Sequence, residues 1–410
     1  MGVGEVQSTV LQNGVSLHCT QGESTTGIRV QVWVGCGAAD TKDGTAHLCE
    51  HLICHGREPG QRSLAETVHL MDGRLDAWTG HDETVFEAVS PRKNLANVLE
   101  ALARRIRSLK FSEEELKAER DAVLSESEAR EQRVLATRGV FASAFAGHGY
   151  SHSCAGEPAA IPNISRKKIL DFYEGFYRGP NIAVVCFAPP DFFAEFNEMA
   201  ARVFGHGLAT VGAISKRRRL PSQKGPGLRV RWQGRSSSFV VLGFRVPSIL
   251  RESSALASQF ASVLGSSESG LLRDIQRHSF GIESVGATVC LLRASGLLLV
   301  SAKIRNGMVL TGIGAIAKTI AGARKDFKDG HPTIGRKDWK VRHRIFQSLW
   351  SEVSADRLQN WEKLRFAEDT FRGSNMTISA VLGPRDAPSV DRLVPQALSG
   401  FDECEGALAS

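Results

Sequence analysis

Five consecutive residues, His47-Leu48-Cys49-Glu50-His51, combine side chains that can do chemistry together. Histidines four apart stand one turn from each other on a helix, so both imidazoles can reach one metal ion. Glu50 falls on nearly the same face, where its carboxylate can reach a water beside the metal rather than the metal itself. The order H-x-x-E-H inverts the commoner zinc-helix pattern, and the chemistry it offers is metal-assisted hydrolysis with a glutamate base. A catalytic zinc takes three protein ligands and keeps one position open. The remaining ligand should be a carboxylate on a second helix. Glu119-Arg120-Asp121-Ala122-Val123-Leu124-Ser125-Glu126 offers it, with Glu119 and Glu126 seven residues apart and so on one face. Val123 and Leu124 give that helix a side to bury. His55, His69 and His81 read as polar surface or satisfied core residues, and Cys49 and Cys54 as buried thiols.

These groups need elements to position them. Ile28, Val30, Val32 and Val34 alternate with polar residues and Trp33, which predicts a strand. Ala46 to Ile53 predicts a buried helix, Ser63 to Met71 a second, and Leu75 to Ser90 a strand pair turning at Gly80-His81-Asp82. Asn94 to Leu109 is an amphipathic helix. Ser112 followed by Glu115 forms a capping box at the start of the clearest helix, whose pattern runs on past Arg133. A helix over Arg166 to Tyr177 and a buried strand over Asn181 to Phe187 complete an α+β unit. The texture returns after residue 228: strand Ser238 to Arg245, helix Ser253 to Gly265, strand Gly296 to Ile304. Two halves of about 200 residues therefore share an element order, a weak internal repeat. The boundaries expected are an N-terminal domain over 1–210 with the histidine motif, a Gly/Pro/Ser-rich linker over 211–228 around Lys216-Arg217-Arg218-Arg219, and a C-terminal domain over 229–410 without a metal motif.

Composition sets the outer bounds. The 410 residues are 42% hydrophobic and 23% charged, which is ordinary globular usage and excludes a disordered or fibrous chain. Lys and Arg exceed Asp and Glu by 51 to 44, and the basic residues are spread too evenly for a nucleic-acid footprint. No apolar run is long enough to span a bilayer. Eight scattered cysteines with no CxxC pair read as reduced thiols. Met1 to Gln7 has neither an apolar signal core nor the Arg-rich character of a transit peptide.

The stretch Gly44-Thr45-Ala46-His47-Leu48-Cys49-Glu50-His51-Leu52 resembles the zinc helix of the pitrilysin family of peptidases. The family carries its third ligand, a glutamate, at a set distance beyond the second histidine; here 74 residues separate His51 from Glu126, a spacing that fits. Gly73-Arg74-Leu75-Asp76-Ala77-Trp78-Thr79 resembles its substrate-binding edge strand, and Phe172-Tyr173-Glu174-Gly175-Phe176-Tyr177 also fits the pattern. The likeness runs over most of residues 10–400 and is stronger in the first half. It implies two homologous α+β domains, each a mixed, mostly antiparallel sheet packed with helices, facing each other across a central cavity. It implies one zinc ion held by His47, His51 and Glu126, with Glu50 as general base and Glu119 behind a ligand. It also implies that Asp76, Ala77, Trp78 and Thr79 bind an extended peptide by adding it to the sheet.

Departures from the family pattern narrow the reading. Self-sufficient members carry an Arg and, seven residues on, a Tyr in the second half; here those positions are Gln276 and Glu283. Their loss, with Ser295-Gly296-Leu297-Leu298, makes the chain resemble β-type members, which act beside an α-type homologue. The positions where β-type processing peptidases carry acidic residues are Ala136 and Val140, with Arg133 and Arg138 nearby, so a cationic presequence would meet neutral or repulsive surface. The usual Asn of the edge strand is Asp76. The resemblance therefore implies, first, a core subunit of mitochondrial complex III, of the subunit 1 kind, peripheral on the matrix side of the inner membrane beside a core 2-like partner and the other subunits. An active β-type processing peptidase cutting presequence peptides, or a free-standing soluble zinc endopeptidase, are the alternatives.

Overall fold

The computed structural model describes residues 6–22, 27–57, 60–128, 131–211, 220, 227–232, 236–251, 253–266, 270–278, 281–328, 344–345, 370 and 375–406. The basic run Lys216 to Arg219 lies outside them. Two compact units result: Met1–Ala129 with His152–Lys216 and Val341–Glu352, and Arg130–Ser151 with Arg217–Lys340 and Val353–Ser410.

The first unit is built on six strands: β1 (Gln7–Val10), β2 (Ser16–Gln21), β3 (Ile28–Val34), β4 (Arg74–Thr79), β5 (Thr84–Ser90) and β6 (Ile182–Ala188). Their order across the sheet is β1-β2-β6-β3-β5-β4, with β2 and β6 parallel and the other neighbours antiparallel. One face carries Leu17, Val30, Val32, Val34, Phe86, Ala88, Val184 and Cys186 into a single core. Five helices contribute to that core: α1 (Thr45–Cys54), α2 (Leu64–His69), α3 (Leu95–Arg107), α6 (Arg166–Phe176) and α7 (Phe193–Phe204). A sixth, α4 (Glu113–Ser127), lies against α1 and buries Leu116 and Val123.

The second unit has five strands: β7 (Gly227–Trp232), β8 (Ser237–Val246), β9 (Ile282–Cys290), β10 (Gly296–Arg305) and β11 (Met376–Leu382). They lie in the order β7-β11-β8-β10-β9, with β7 and β11 the parallel pair. This order repeats β2-β6-β3-β5-β4 strand for strand and direction for direction, so the weak repeat in the sequence is a repeat of topology. Helices α8 (Ser254–Ala261), α9 (Leu271–Arg277), α10 (Val309–Lys328) and α11 (Leu393–Gly406) belong to this unit. So does α5 (Gln132–Ala144), which packs on β7, β8 and β11. The contact is close: a Cβ on Gly139 would stand 2.1 Å from Ser379 Oγ, and one on Gly243 would stand 2.4 Å from Val140 Cγ1.

One expectation changes, and one strand is found where none is predicted. The helix read as continuing from Ser112 past Arg133 is two helices. It ends at Ser127, whose Oγ donates to the Leu124 carbonyl at 2.8 Å, and the chain leaves for the other unit as α5. β2 escapes periodicity because Ser16 to Thr20 are buried on both faces, which erases the alternation that marks a half-exposed strand.

Candidate metal centre

Packing at both ends fixes α1. Gly44 precedes it with φ of 101°, a left-handed conformation that costs glycine little, and a Cβ there would meet Gly156 Cα at 2.9 Å. Asp43 Oδ1 accepts from Thr45 N at 3.2 Å and from Thr45 Oγ1 at 2.8 Å, covering the first turn. At the far end the buried Arg105 of α3 donates to the carbonyls of Leu52 (2.7 Å), Gly56 (2.8 Å) and Ile53 (3.2 Å). A cation on these last carbonyls also suits the helix dipole. Leu48, Cys49, Leu52 and Ile53 are fully buried, so the helix can neither roll nor slide without opening the core.

That orientation turns His47 and His51 toward α4. Their rings lie 4.7 Å apart, nearly perpendicular. Glu126 Oε2 is 3.5 Å from His47 Nε2 and 3.6 Å from His51 Nε2. The three ligand atoms lie within 4.8 Å of one another, and no other such trio of His, Cys, Asp or Glu occurs among the described residues. Glu119 Oε2 sits 3.1 Å from His51 Nδ1, which leaves Nε2 of that ring to face Glu126. The capping box expected at Ser112 starts α4, with Ser112 Oγ accepting from Glu115 N at 3.1 Å and Glu115 Oε2 from Ser112 N at 2.8 Å. Arg120 ties the middle of the helix to the Ile164 carbonyl.

Glu50 lies beside the trio, 5% exposed, with Thr79 Oγ1 of β4 donating to its Oε2 at 2.8 Å. Burial pushes the Glu50 pKa up to about 7; the Thr79 bond and the His51 charge oppose this, while Glu126 and Asp76 add to it. For His51, burial disfavours the charged form, but the bond to Glu119 and the charges of Glu50 and Glu126 outweigh it, so the ring's pKa is raised. Two imidazoles and a carboxylate, amid further acidic groups, form the nitrogen and oxygen donor set that suits zinc.

β4 is the outer strand of its sheet, paired only with β5. Its residues alternate: Leu75, Ala77 and Thr79 turn toward the core and Glu50, whereas Arg74, Asp76 and Trp78 are exposed on the opposite face. Cys49 and Cys54 are buried, with burial pushing the Cys49 thiol up to about 12. His55 and His69 are exposed. His81 is buried, with Nδ1 3.4 Å from Cys154 Sγ. Arg105 and Asp43 were not singled out from sequence. A basic residue in the last turn of an amphipathic helix gives no sign that it reaches another helix.

The two positions read as a neutral surface for cationic peptides are something else. Ala136 and Val140 are fully buried, on the face of α5 that packs on the second sheet, so they serve packing rather than peptide contact. Gln276 Nε2 donates to the Glu283 carbonyl at 2.8 Å. The Glu283 carboxylate is bound to Lys303 at 2.7 Å and accepts from Ser237 at 2.9 Å, and Lys303 holds its pKa below the usual range.

The profile described as Insulinase (Peptidase family M16) matches residues 18–157, and the one described as Peptidase M16 inactive domain matches residues 163–331. Mitochondrial-processing peptidase subunit beta of Rattus norvegicus is 28% identical over 214 residues, 51% of this chain and 43% of that protein. Cytochrome b-c1 complex subunit 1 of the same species is 26% identical over 190 residues, 44% of this chain and 39% of that protein. The matches thus span less than half the length of these relatives. Among solved structures, a protease from Helicobacter pylori superposes with a TM-score of 0.72 at 19% identity, over 93% of this chain and all of that one. A chain of complex III2 from Candida albicans does so with a TM-score of 0.70 at 12% identity, over 97% of this chain and 100% of that one. The two profile matches together cover about three quarters of the sequence, and the chain belongs to peptidase family M16.

Proposed function

We propose that this chain is a β-type M16 subunit with a zinc endopeptidase site, His47, His51 and Glu126 holding one zinc ion. The observation that carries this reading is the convergence of three ligand atoms within 4.8 Å beside a buried glutamate. Members of this family are in general zinc-dependent. Zinc, when bound, supplies a Lewis acid that polarises a peptide carbonyl and acidifies water. Glu119 fixes the His51 ring through Nδ1 and so holds Nε2 in position. Glu50 takes the proton of the attacking water and passes it to the leaving amine, a task suited to a carboxyl that titrates near neutrality. Thr79 restrains one Glu50 oxygen, leaving the other for that proton. The open edge of β4 receives the substrate as an added strand, with Asp76, Ala77, Trp78 and Thr79 alongside. Substituting Glu50→Gln tests this: zinc content should stay at one per chain while peptide cleavage disappears.

Gln276 and Glu283 support a dependence on a homologous α-type partner, because both are engaged within their own unit and neither offers a guanidinium or a phenol. The relatives named for mitochondria support a mitochondrial location, and the matrix side of the inner membrane belongs to the proposal alone. A second reading, a core subunit of complex III with its partner core protein and the other subunits, is favoured by the likeness to a complex III chain over nearly the whole length. No helix of the described residues is long and apolar enough to cross a membrane. A haem difference spectrum of the native assembly separates the two: b- and c-type haem signals support the core role, and a haem-free assembly removes it.

A further inference from the structure

The outward face of β4 carries two groups that the hydrolytic chemistry does not use. Asp76 and Trp78 stand two residues apart on this face, each at the open end of a row running across the sheet. One row is Gln31, Glu87, Asp76, and the other is Trp33, Val85, Trp78. In the first, two carboxylates face each other directly across antiparallel strands, an arrangement that costs stability. Glu87 is restrained by Gln31 Nε2 at 2.6 Å and by Arg29 at 3.8 Å. Among the described residues Asp76 has no cation in ion-pair distance; its Oδ1 accepts only from the next backbone amide, at 3.0 Å. In the second row Trp33 and Val85 are buried, while Trp78 is 37% exposed, one of few large apolar side chains left so.

We propose that these two rows set the substrate's side-chain pattern: an extended peptide laid along β4 places a Lys or Arg beside Asp76 and a large apolar side chain beside Trp78, two residues away. The inference rests on the peptidase reading, which brings the peptide to this edge. A strand added there lengthens each row by one residue, because side chains of neighbouring strands align across a sheet. The acidic row then gains its missing cation, and the apolar row covers its exposed end. Thr79, the next residue along, bonds Glu50, so the selected side chains lie next to the hydrolytic groups. Charge selection that the buried positions 136 and 140 do not supply is thus provided from the edge strand.

The test measures binding apart from cleavage. Fluorescent ten-residue peptide pools carrying Arg-x-Leu, Glu-x-Leu or Arg-x-Ser, each in both chain directions and at every register, are titrated by anisotropy into the zinc-loaded full-length Glu50→Gln chain. The expected order has Arg-x-Leu tightest, about threefold over Glu-x-Leu, as for an exposed ion pair, and about tenfold over Arg-x-Ser. Adding Asp76→Lys should invert the Arg/Glu preference, Asp76→Asn should remove it, and Trp78→Ser should remove the Leu/Ser preference. Both side chains are exposed, so these variants retain the fold. Unchanged preferences in the variants overturn the proposal, and so does failure to bind any pool. Cleavage by the chain with Glu50 intact, assayed together with an α-type subunit, is scored separately: selective binding without cleavage sinks the peptidase reading, while cleavage with unchanged preferences sinks this inference alone.

Discussion

Glu50, Glu119 and His18 show how burial sets the behaviour of single side chains in the first unit. Burial keeps Glu50 from water and raises its pKa to about 7 against the opposing bond from Thr79, which equips it to exchange a proton. Glu119 acts through its neighbour. Replacing it with Ala should weaken zinc binding ten- to a hundredfold or so, with activity recovering in excess zinc; an unchanged zinc affinity in a chelator competition would contradict its role. His18 is a separate titration. It is 1% exposed, and burial together with the Arg344 charge lowers its pKa from 6.5 to about 4. Between those values the unfolded chain binds more protons than the folded one, so stability rises with pH across that window. The contribution is complete above pH 6.5 and is lost as pH falls toward 4, amounting to about 3 kcal/mol. Denaturant melts from pH 7 to 4 should show this slope, and His18→Gln should flatten it.

Among the elements, α1 depends most on others. Arg105→Met removes the donors to three carbonyls at its C-terminal end and leaves them buried. The expected cost is about 3 kcal/mol of stability together with looser zinc binding; a variant melting like the parent would show that water replaces the guanidinium. Val140→Asp should not improve binding of cationic peptides but should destabilise the second unit, by about 3 kcal/mol, because it buries an unpaired carboxylate against Gly243. Calorimetry of the variant decides between the two. The legibility of elements followed from what each shows to solvent. α4 was readable because its cap is local in sequence, as were β4 and β5, whose turn residues bracket them. The break between α4 and α5 was not, since it reflects the passage of α5 to another unit. β2 was not, since burial on both faces removes its period. The histidine motif and Glu126 were legible as residue types at a spacing. Thr79 on Glu50 and Arg105 on α1 are tertiary contacts with no sequence period.

At the scale of the whole molecule, one sheet topology occurs twice, and the His-His-Glu trio occurs once among the described residues. The first unit supplies the His47, His51 and Glu126 trio; in the second, Gln276 and Glu283, read from sequence at the family's Arg and Tyr positions, are spent on internal contacts, Gln276 with the Glu283 carbonyl and Glu283 with Ser237 and Lys303. This asymmetry is the basis for expecting a homologous partner, and adding an α-type subunit should raise cleavage over the isolated chain, which a peptide assay with and without that subunit would check. The most direct test of the central claim is zinc content measured alongside peptide cleavage in the parent chain and in Glu50→Gln. One zinc per chain in both proteins, with cleavage in the parent only, is the predicted result. Equal cleavage by the two, or a parent chain that takes up no zinc, would contradict it.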